Sequence, residues 1–464
     1  MIYSGKVHIN MATQLTFTGI LVLLVFIIVL AILVTEKIDK TALSLVGATV
    51  VVFILFVFPQ NNLHGEKINV INLFGKESIF PWETVMFIFF MMMIVAMSAR
   101  SGLFQWLALV SIQITKGHPK TLYFAFILLT FIISFFFDTV TTMLILAPLT
   151  IEIMKVLDRD FRPYLIAEAI VANFGSIPSL IGSVPNIVIG NNSGINFLEF
   201  LVILGPLTLI FLFTSIPVFL LFHKNILDEQ HQVSNIDEKI FLLDAAIVIK
   251  QPKIFIISIL GLVILILGFT LGQVLEMSPV LTAMLAMSFL IIETRDSISE
   301  TLKEVQWGTI FFIVGLLIIV QAIEELGIIH LAAELLEPLI AGIPSLSGVL
   351  MINIAGFLSG IVDNIPISAA LAPVATTLGA AIPTIDGKFL ALGLIVGVNV
   401  GGYLTPIASP ANILALSFSE KEHTPITFVE FAKIGTSLSI LHLVIGSIYF
   451  SLFATQIQDL INIL

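Results

Sequence analysis

Two carboxylates sit where a carboxylate is costly. Asp138 lies inside the oily stretch SFFFDTVTTMLILAP (Ser134–Pro148), and Asp363 inside SGIVDNIPISAALAP (Ser359–Pro373). An ionised Asp at the centre of a bilayer costs about 3 kcal/mol on insertion scales, so each acid needs a proton, a cation or a helix start to hold. Hydroxyls and amides follow both: Thr139, Thr141 and Thr142 after the first, Asn364 and Ser368 after the second. Two further segments, NFGSIPSLIGSVPN (Asn173–Asn186) and NVGGYLTPIASPAN (Asn399–Asn412), mix Asn, Ser and Thr with prolines and glycines that break helices. They carry Ser183, Thr405 and Ser409. Side-chain oxygens beside unwound backbone can hold a small cation, and half-helix N-termini can hold an anion. Sodium is expected at Asp138, Asn173, Asp363 and Asn399.

The elements that carry these residues belong to a membrane. The 464-residue chain is 58% hydrophobic and 11% charged, against roughly 25% charged in a soluble domain. Apolar runs long enough to span a bilayer recur along nearly its whole length, without the dyad alternation of a β-barrel. The net charge of −11 and the lack of a basic tract give no sign of nucleic acid. There is no cysteine, so disulfides and thiolate metal sites are excluded, and the eight histidines lack ligand spacing. No cofactor is expected. The apolar stretch Leu15–Val34 reads as a first span rather than a cleaved leader.

The two acid-bearing stretches are copies. Asp138 and Asp363, Pro148 and Pro373, and Trp82 and Trp307 are each separated by 225 residues. Asn173 and Asn399, and Asn186 and Asn412, are separated by 226, and FLEF (Phe197–Phe200) recurs as FVEF (Phe428–Phe431). A duplicated unit follows: residues 1–222, with scaffold helices over about 15–115 and a hairpin and broken helix over about 116–196, then a linker at 223–252. The second unit is 253–464, with its hairpin and broken helix over about 345–418.

A single helix over 119–156 would be roughly 55 Å long, against a hydrocarbon core of about 30 Å. The chain is therefore expected to double back near Asp138 as a re-entrant hairpin. Five crossings and one hairpin per unit make an odd number, so the second unit is inverted. Of the 20 Lys and Arg residues, all but Lys6, Lys67, Lys76 and Lys388 then fall on one side, which the positive-inside rule makes cytoplasmic. The linker is expected there, and both termini outside. The fold class is an all-α polytopic protein of two inverted repeats, each of about five spans plus a re-entrant hairpin and a broken helix. Such repeats around broken helices describe a secondary transporter.

The stretches DTVTTMLILAP, GSVPNIVIGNNSGINFLEFL and NVGGYLTPIASPANILA resemble the ion transporter superfamily, in its group of arsenite permeases, sodium/proton antiporters and P-protein-like permeases with a citrate-transporter-like domain. The resemblance covers the whole chain. It implies a homodimeric elevator-type carrier of the plasma (inner) membrane, with hairpins and broken helices moving against a scaffold. Sodium-coupled dicarboxylate carriers of the superfamily read Ser-Asn-Thr at the tips; acids here imply protonation during the cycle. The sodium/proton antiporters carry a further Asp where this chain has Ser183.

With two acids and no Lys or Arg expected between them, the residues favour a cation or proton over a multivalent anion. Sodium/proton-type exchange or ion-coupled transport is the leading expectation; an anion or oxyanion permease, for arsenite-like solutes or organic carboxylates, is the alternative. The bland readings are helix capping for the acids, helix–helix glue for Asn173 and Asn399, interfacial positions for Glu199 and Glu430, and packing for His442. An aspartyl protease dyad lacks its Gly-x-Gly-Asp motif, and a passive channel suits closed hairpins poorly.

Overall fold

In the computed structural model, residues 16–35, 37–60, 68, 81–229, 252–272, 275, 277–294, 298–340 and 344–464 are described, and the described elements are helices. Ten of these helices are long and apolar enough to cross a membrane. The first half contains α1 (Phe17–Thr35), α2 (Lys40–Val57), α3 (Trp82–Arg100) and α4 (Leu103–Thr115). The hairpin arms α5 (Pro119–Phe136) and α6 (Thr139–Val156) follow, then the broken pair α7 (Arg162–Gly175) and α8 (Val184–Ser193). A helical turn at Phe197–Glu199 and a π-helical turn at Phe200–Leu204 lead into α9 (Gly205–Glu229). The second half repeats this order: α10 (Pro252–Leu271), α11 (Pro279–Thr294), α12 (Ile298–Glu304), α13 (Trp307–Glu325) and α14 (Ile328–Ile340). Its hairpin is α15 (Pro344–Ile361) and α16 (Asn364–Ala381), its broken pair α17 (Gly387–Gly401) and α18 (Pro410–Lys421), and its closing helix α19 (Phe428–Leu452). A short amphipathic α20 (Ala454–Ile463) ends the chain.

Local chemistry sets most of these boundaries. Phe137 is extended (φ −129°, ψ 148°), and Asp138 then caps α6 by accepting from the amides of Val140 and Thr141. Asp363 caps α16 in the same way, through Ile365 N. Side-chain oxygens of Asp and Ser satisfy amides that have no partner within the helix. Ser183 does this for α8, whose Pro185 falls in the first turn where no amide is needed. Capping boxes at Asn196/Glu199 and Thr427/Glu430 open the two closing helices at matching points.

Several expectations need adjusting. The closing helix α9 runs on through Glu229, into the stretch expected to be linker. The bend near Asp138 divides 119–156 as expected, and the hairpin arms have 18 residues each, about 27 Å by helical rise. Tyr164, at the start of α7, donates to Pro119 O at 3.3 Å, which joins the two ends of the first hairpin. The amphipathic α20 was not anticipated. Lys6, Lys67, Lys76, Lys239, Lys250 and Arg295 of the charge count, and linker residues 230–251, lie outside the described residues.

Packing pairs the halves reciprocally. Helix α2 lies on α13 while α11 lies on α3; α8 lies on α16 while α18 lies on α6. The closest hairpin contact is α15 on α17, where backbones nearly touch: a Cβ on Gly401 would stand 2.2 Å from Gly356 O, and one on Gly397 2.5 Å from Ile352 O. Overpacking a site of this kind costs about 1–3 kcal/mol. Gly401→Ala is therefore expected to lower the melting temperature of the purified protein by several degrees. Gly308→Ala, whose new methyl would have no neighbour nearer than 3.4 Å, is expected to leave it unchanged in the same scan.

Candidate functional site

The two broken helices are tied together by exchanged asparagines. Asn399 Nδ2, on α17, donates to Asn186 Oδ1 at 2.7 Å; Asn173 Nδ2, on α7, donates to Asn412 Oδ1 at 3.2 Å. Each long-arm asparagine also donates within its own helix, Asn173 to Ala169 O and Asn399 to Ile395 O, both at 2.8 Å. Each short-arm asparagine holds its own unwound loop: Asn186 Nδ2 donates to Ser176 O and Ser179 O, and Asn412 Nδ2 to Gly402 O and Thr405 O. Every bond of one half thus has its counterpart 226 residues along. All four amides are buried, where an unpaired polar group costs about 1–3 kcal/mol.

The symmetry fails at one point. Asn399 Oδ1 accepts from Ser176 Oγ (3.4 Å) and Ser183 Oγ (3.2 Å). Its counterpart Asn173 Oδ1 has no partner among the described residues: Gly402 stands where the first half has Ser176, and Ser409, at the place of Ser183, does not bond to it. Ser409 Oγ, the counterpart of Ser183, and both polar atoms of Asn364 are also buried without partners. A Cβ on Gly402 would lie 3.0 Å from Asn173 Oδ1 and 3.2 Å from Asn364 Nδ2. Position 402 therefore lies tight against the amides of Asn173 and Asn364, and a side chain there would need a neighbour to give way. Asn364 N donates to Ala408 O at 3.2 Å, which holds the second tip on the broken loop, and Thr405 Oγ1 donates to Gly360 O at 2.8 Å.

The two tip acids differ as well. Asp138 is half-buried and is satisfied by its own helix, accepting from Val140 N (3.0 Å), Thr141 N (3.1 Å) and Thr141 Oγ1. It borders an apolar crevice with Met91, Met92, Ile181 and Val184. Asp363 is buried, accepts from Ile365 N at 3.0 Å, and pairs with Lys40 Nζ at 2.6 Å. The expectation that no Lys or Arg enters the region is thus overturned: Lys40, the first residue of α2, carries a counter-charge into it. Gln306, capping α13, donates to Thr141 Oγ1 at 3.1 Å. The two tips therefore meet the N-terminal ends of α13 and α2. A cavity of about 340 Å³ opens between them, lined by Lys40, Thr309, Phe312 and Pro410 with the matching tip residues Val140 and Ile365.

Not every expected residue faces this region. Thr142 and Ser368 are buried and bond back to Phe137 O and Ile365 O. Glu199, at the start of a candidate span, is fully buried and paired with Lys388 at 2.7 Å. His442 is packed, with Nδ1 2.6 Å from Tyr403 Oη and its ring stacked on Phe211. Lys40, Gln306 and Ser176 were missed. Ser176 was readable from the 226-residue register; Lys40 and Gln306, at helix ends far along the chain, gave no signal.

Membrane-length helices enclosing a polar, two-fold-related centre define an integral multi-pass membrane transporter. The chain belongs to the citrate transporter family, whose pattern matches residues 28–397. It is 27% identical over 436 residues to a 46 kDa membrane protein of Mycobacterium leprae, covering 93% of this chain and 98% of the relative. It is also 27% identical to an uncharacterized transporter of Mycobacterium tuberculosis, over 92% of this chain and 96% of that one. The mouse (Mus musculus) P protein is 25% identical over 79% of this chain and 53% of its own length. Among solved structures, the YdaH transporter of Alcanivorax borkumensis shares the fold, with a TM-score of 0.51 at 13% identity, over 95% of this chain and 98% of that one.

The crowding at position 402 yields a direct expectation. Gly402→Ser adds a Cβ 3.0 Å from Asn173 Oδ1 and 3.2 Å from Asn364 Nδ2, and overpacking of this kind costs about 1–3 kcal/mol. It should lower the melting temperature of the purified protein by several degrees in a thermal scan.

Proposed function

We propose that this transporter is a secondary active carrier working by alternating access, with sodium or protons bound at the tips and broken helices. The supporting observation is the set of buried polar atoms without partners: Asn173 Oδ1, the Asn364 side chain and Ser409 Oγ. Leaving them empty costs several kcal/mol, and a small cation with its water would remove that cost. Neutral oxygens suit sodium. Among the described residues no group of three or more His, Cys, Asp or Glu side chains gathers as a divalent metal site would require.

The moving body is proposed to be α5–α8 with α15–α18, sliding against a scaffold of α1–α4 and α10–α14 that also forms a homodimer. Side-chain bonds that would have to break include Gln306–Thr141, Lys40–Asp363 and Asn191–Thr84. By the charge distribution of the sequence, residues 223–252 face the cytoplasm of a plasma (inner) membrane and both termini face outward.

A second reading draws on Lys40, which edges the cavity between the tips. An ammonium group beside that space would suit an organic carboxylate or oxyanion, in keeping with the family's citrate name.

Proteoliposomes separate these readings. Under cation exchange, an inward sodium gradient drives a pH change that Asp138→Asn and Asp363→Asn each abolish; exchange retained in both would remove the proposal. Under the second reading, citrate, succinate or arsenite accumulates instead. The chain has no native cysteine, so Gln306→Cys with Thr141→Cys gives a clean pair for motion. Cross-linking these adjoining positions with mercuric ion should stop transport, and a fully cross-linked protein that still transports would rule out sliding.

A further inference from the structure

We infer that Lys40 is a tethered counter-cation that competes with the transported cation for Asp363, and so couples cation binding to release of the second hairpin tip. The inference rests on the cation-coupled reading above.

Three observations carry it. First, the pair joins the two proposed bodies: Lys40 begins α2, which is packed on α13, while Asp363 caps α16 at the hairpin tip. Second, the pair is one-sided in burial. The Asp363 side chain is 3% exposed and that of Lys40 28% exposed, at the edge of the cavity between the tips. The acid is fixed by its bond to Ile365 N, whereas the ammonium sits on a flexible four-carbon stem that can swing toward solvent. Third, the arrangement is absent from the other half. Asp138 is satisfied by Val140 and Thr141 of its own helix, and α11, the counterpart of α2, begins at Pro279.

A buried carboxylate without a cation is disfavoured. While Asp363 lacks cargo, Lys40 supplies the positive charge, and the tip stays pinned to α2. A sodium ion taking oxygen from Asp363 makes the ammonium superfluous and repels it, so Lys40 withdraws to the cavity and the tip is free of the scaffold. Asn364, next to the acid, offers a buried amide with no present partner to the arriving ion. An empty carrier would therefore be held still and a loaded one released, which is what prevents a coupled carrier from slipping. Asp39 does not substitute for the tip acid as partner in this scheme: its carboxylate caps α2 by accepting from Ala42 N at 2.8 Å.

The test uses the purified full-length chain, with sodium chloride as probe and N-methylglucamine chloride to hold ionic strength. Removing the competitor in Lys40→Met should lower the sodium concentration for half-maximal thermal stabilisation at least tenfold, while ion-driven accumulation in proteoliposomes falls. Lys40→Arg, which keeps the charge, should restore coupling in part. A second readout is maleimide labelling of Ile365→Cys, the buried residue after the tip amide. Sodium should speed labelling when Lys40 is present, and labelling should be fast without sodium in the Lys40→Met background. An unchanged sodium midpoint and unchanged labelling in Lys40→Met overturn the inference. If the otherwise native protein shows no sodium response at all, the sodium form of the cation-coupled reading fails, and the inference fails with it.

Discussion

The exchange of asparagine side chains between the broken helices is the constraint on which the rest depends. Breaking a helix inside a bilayer leaves amides and carbonyls that water cannot reach. Asn186 and Asn412 take up two such carbonyls each, in loops 176–183 and 402–409, and offer their own oxygens to Asn399 and Asn173 across the molecular centre. The loops stay open only because each is propped by the other half's long helix. With the loops fixed, the hairpin tips have a surface to rest on, as Asn364 N does on Ala408 O. All four asparagine side-chain nitrogens are bonded, which ties the broken pairs together across the centre, while Asn173 Oδ1 is left over.

The tips show how a single residue type can serve two electrostatic arrangements. Both acids begin helices, where amide donors and the helix dipole favour negative charge. Asp138 draws its remaining partner from Thr141, one turn on, and closes on itself among methionines of α3. Asp363 instead reaches across to another part of the chain. The first tip is thus held to the scaffold by a neutral amide, Gln306, and the second by a formal charge. In each acid one oxygen caps the helix and the other takes a different partner, the Thr141 hydroxyl at the first tip and the Lys40 ammonium at the second.

Much of this was legible in the sequence. The bends after Phe136 and Ile361, the breaks at 176–183 and 402–409, and the pairing of the halves followed from Asp, Pro and Gly positions, because those residues act on their immediate backbone. The constant 226-residue offset even aligned the hydrogen-bond partners. Lys40 was not legible: positioned at the mouth of a span it resembled any interfacial lysine, and its partner lies 323 residues away.

One hydrogen atom at position 402, in place of the hydroxymethyl group at 176, has a further consequence. The hydroxyl at 176 sits against Asn399, whereas bare backbone at 402 sits against Asn173. Otherwise matching amides thus have unlike surroundings, and any two arrangements that exchanged their roles would differ in energy.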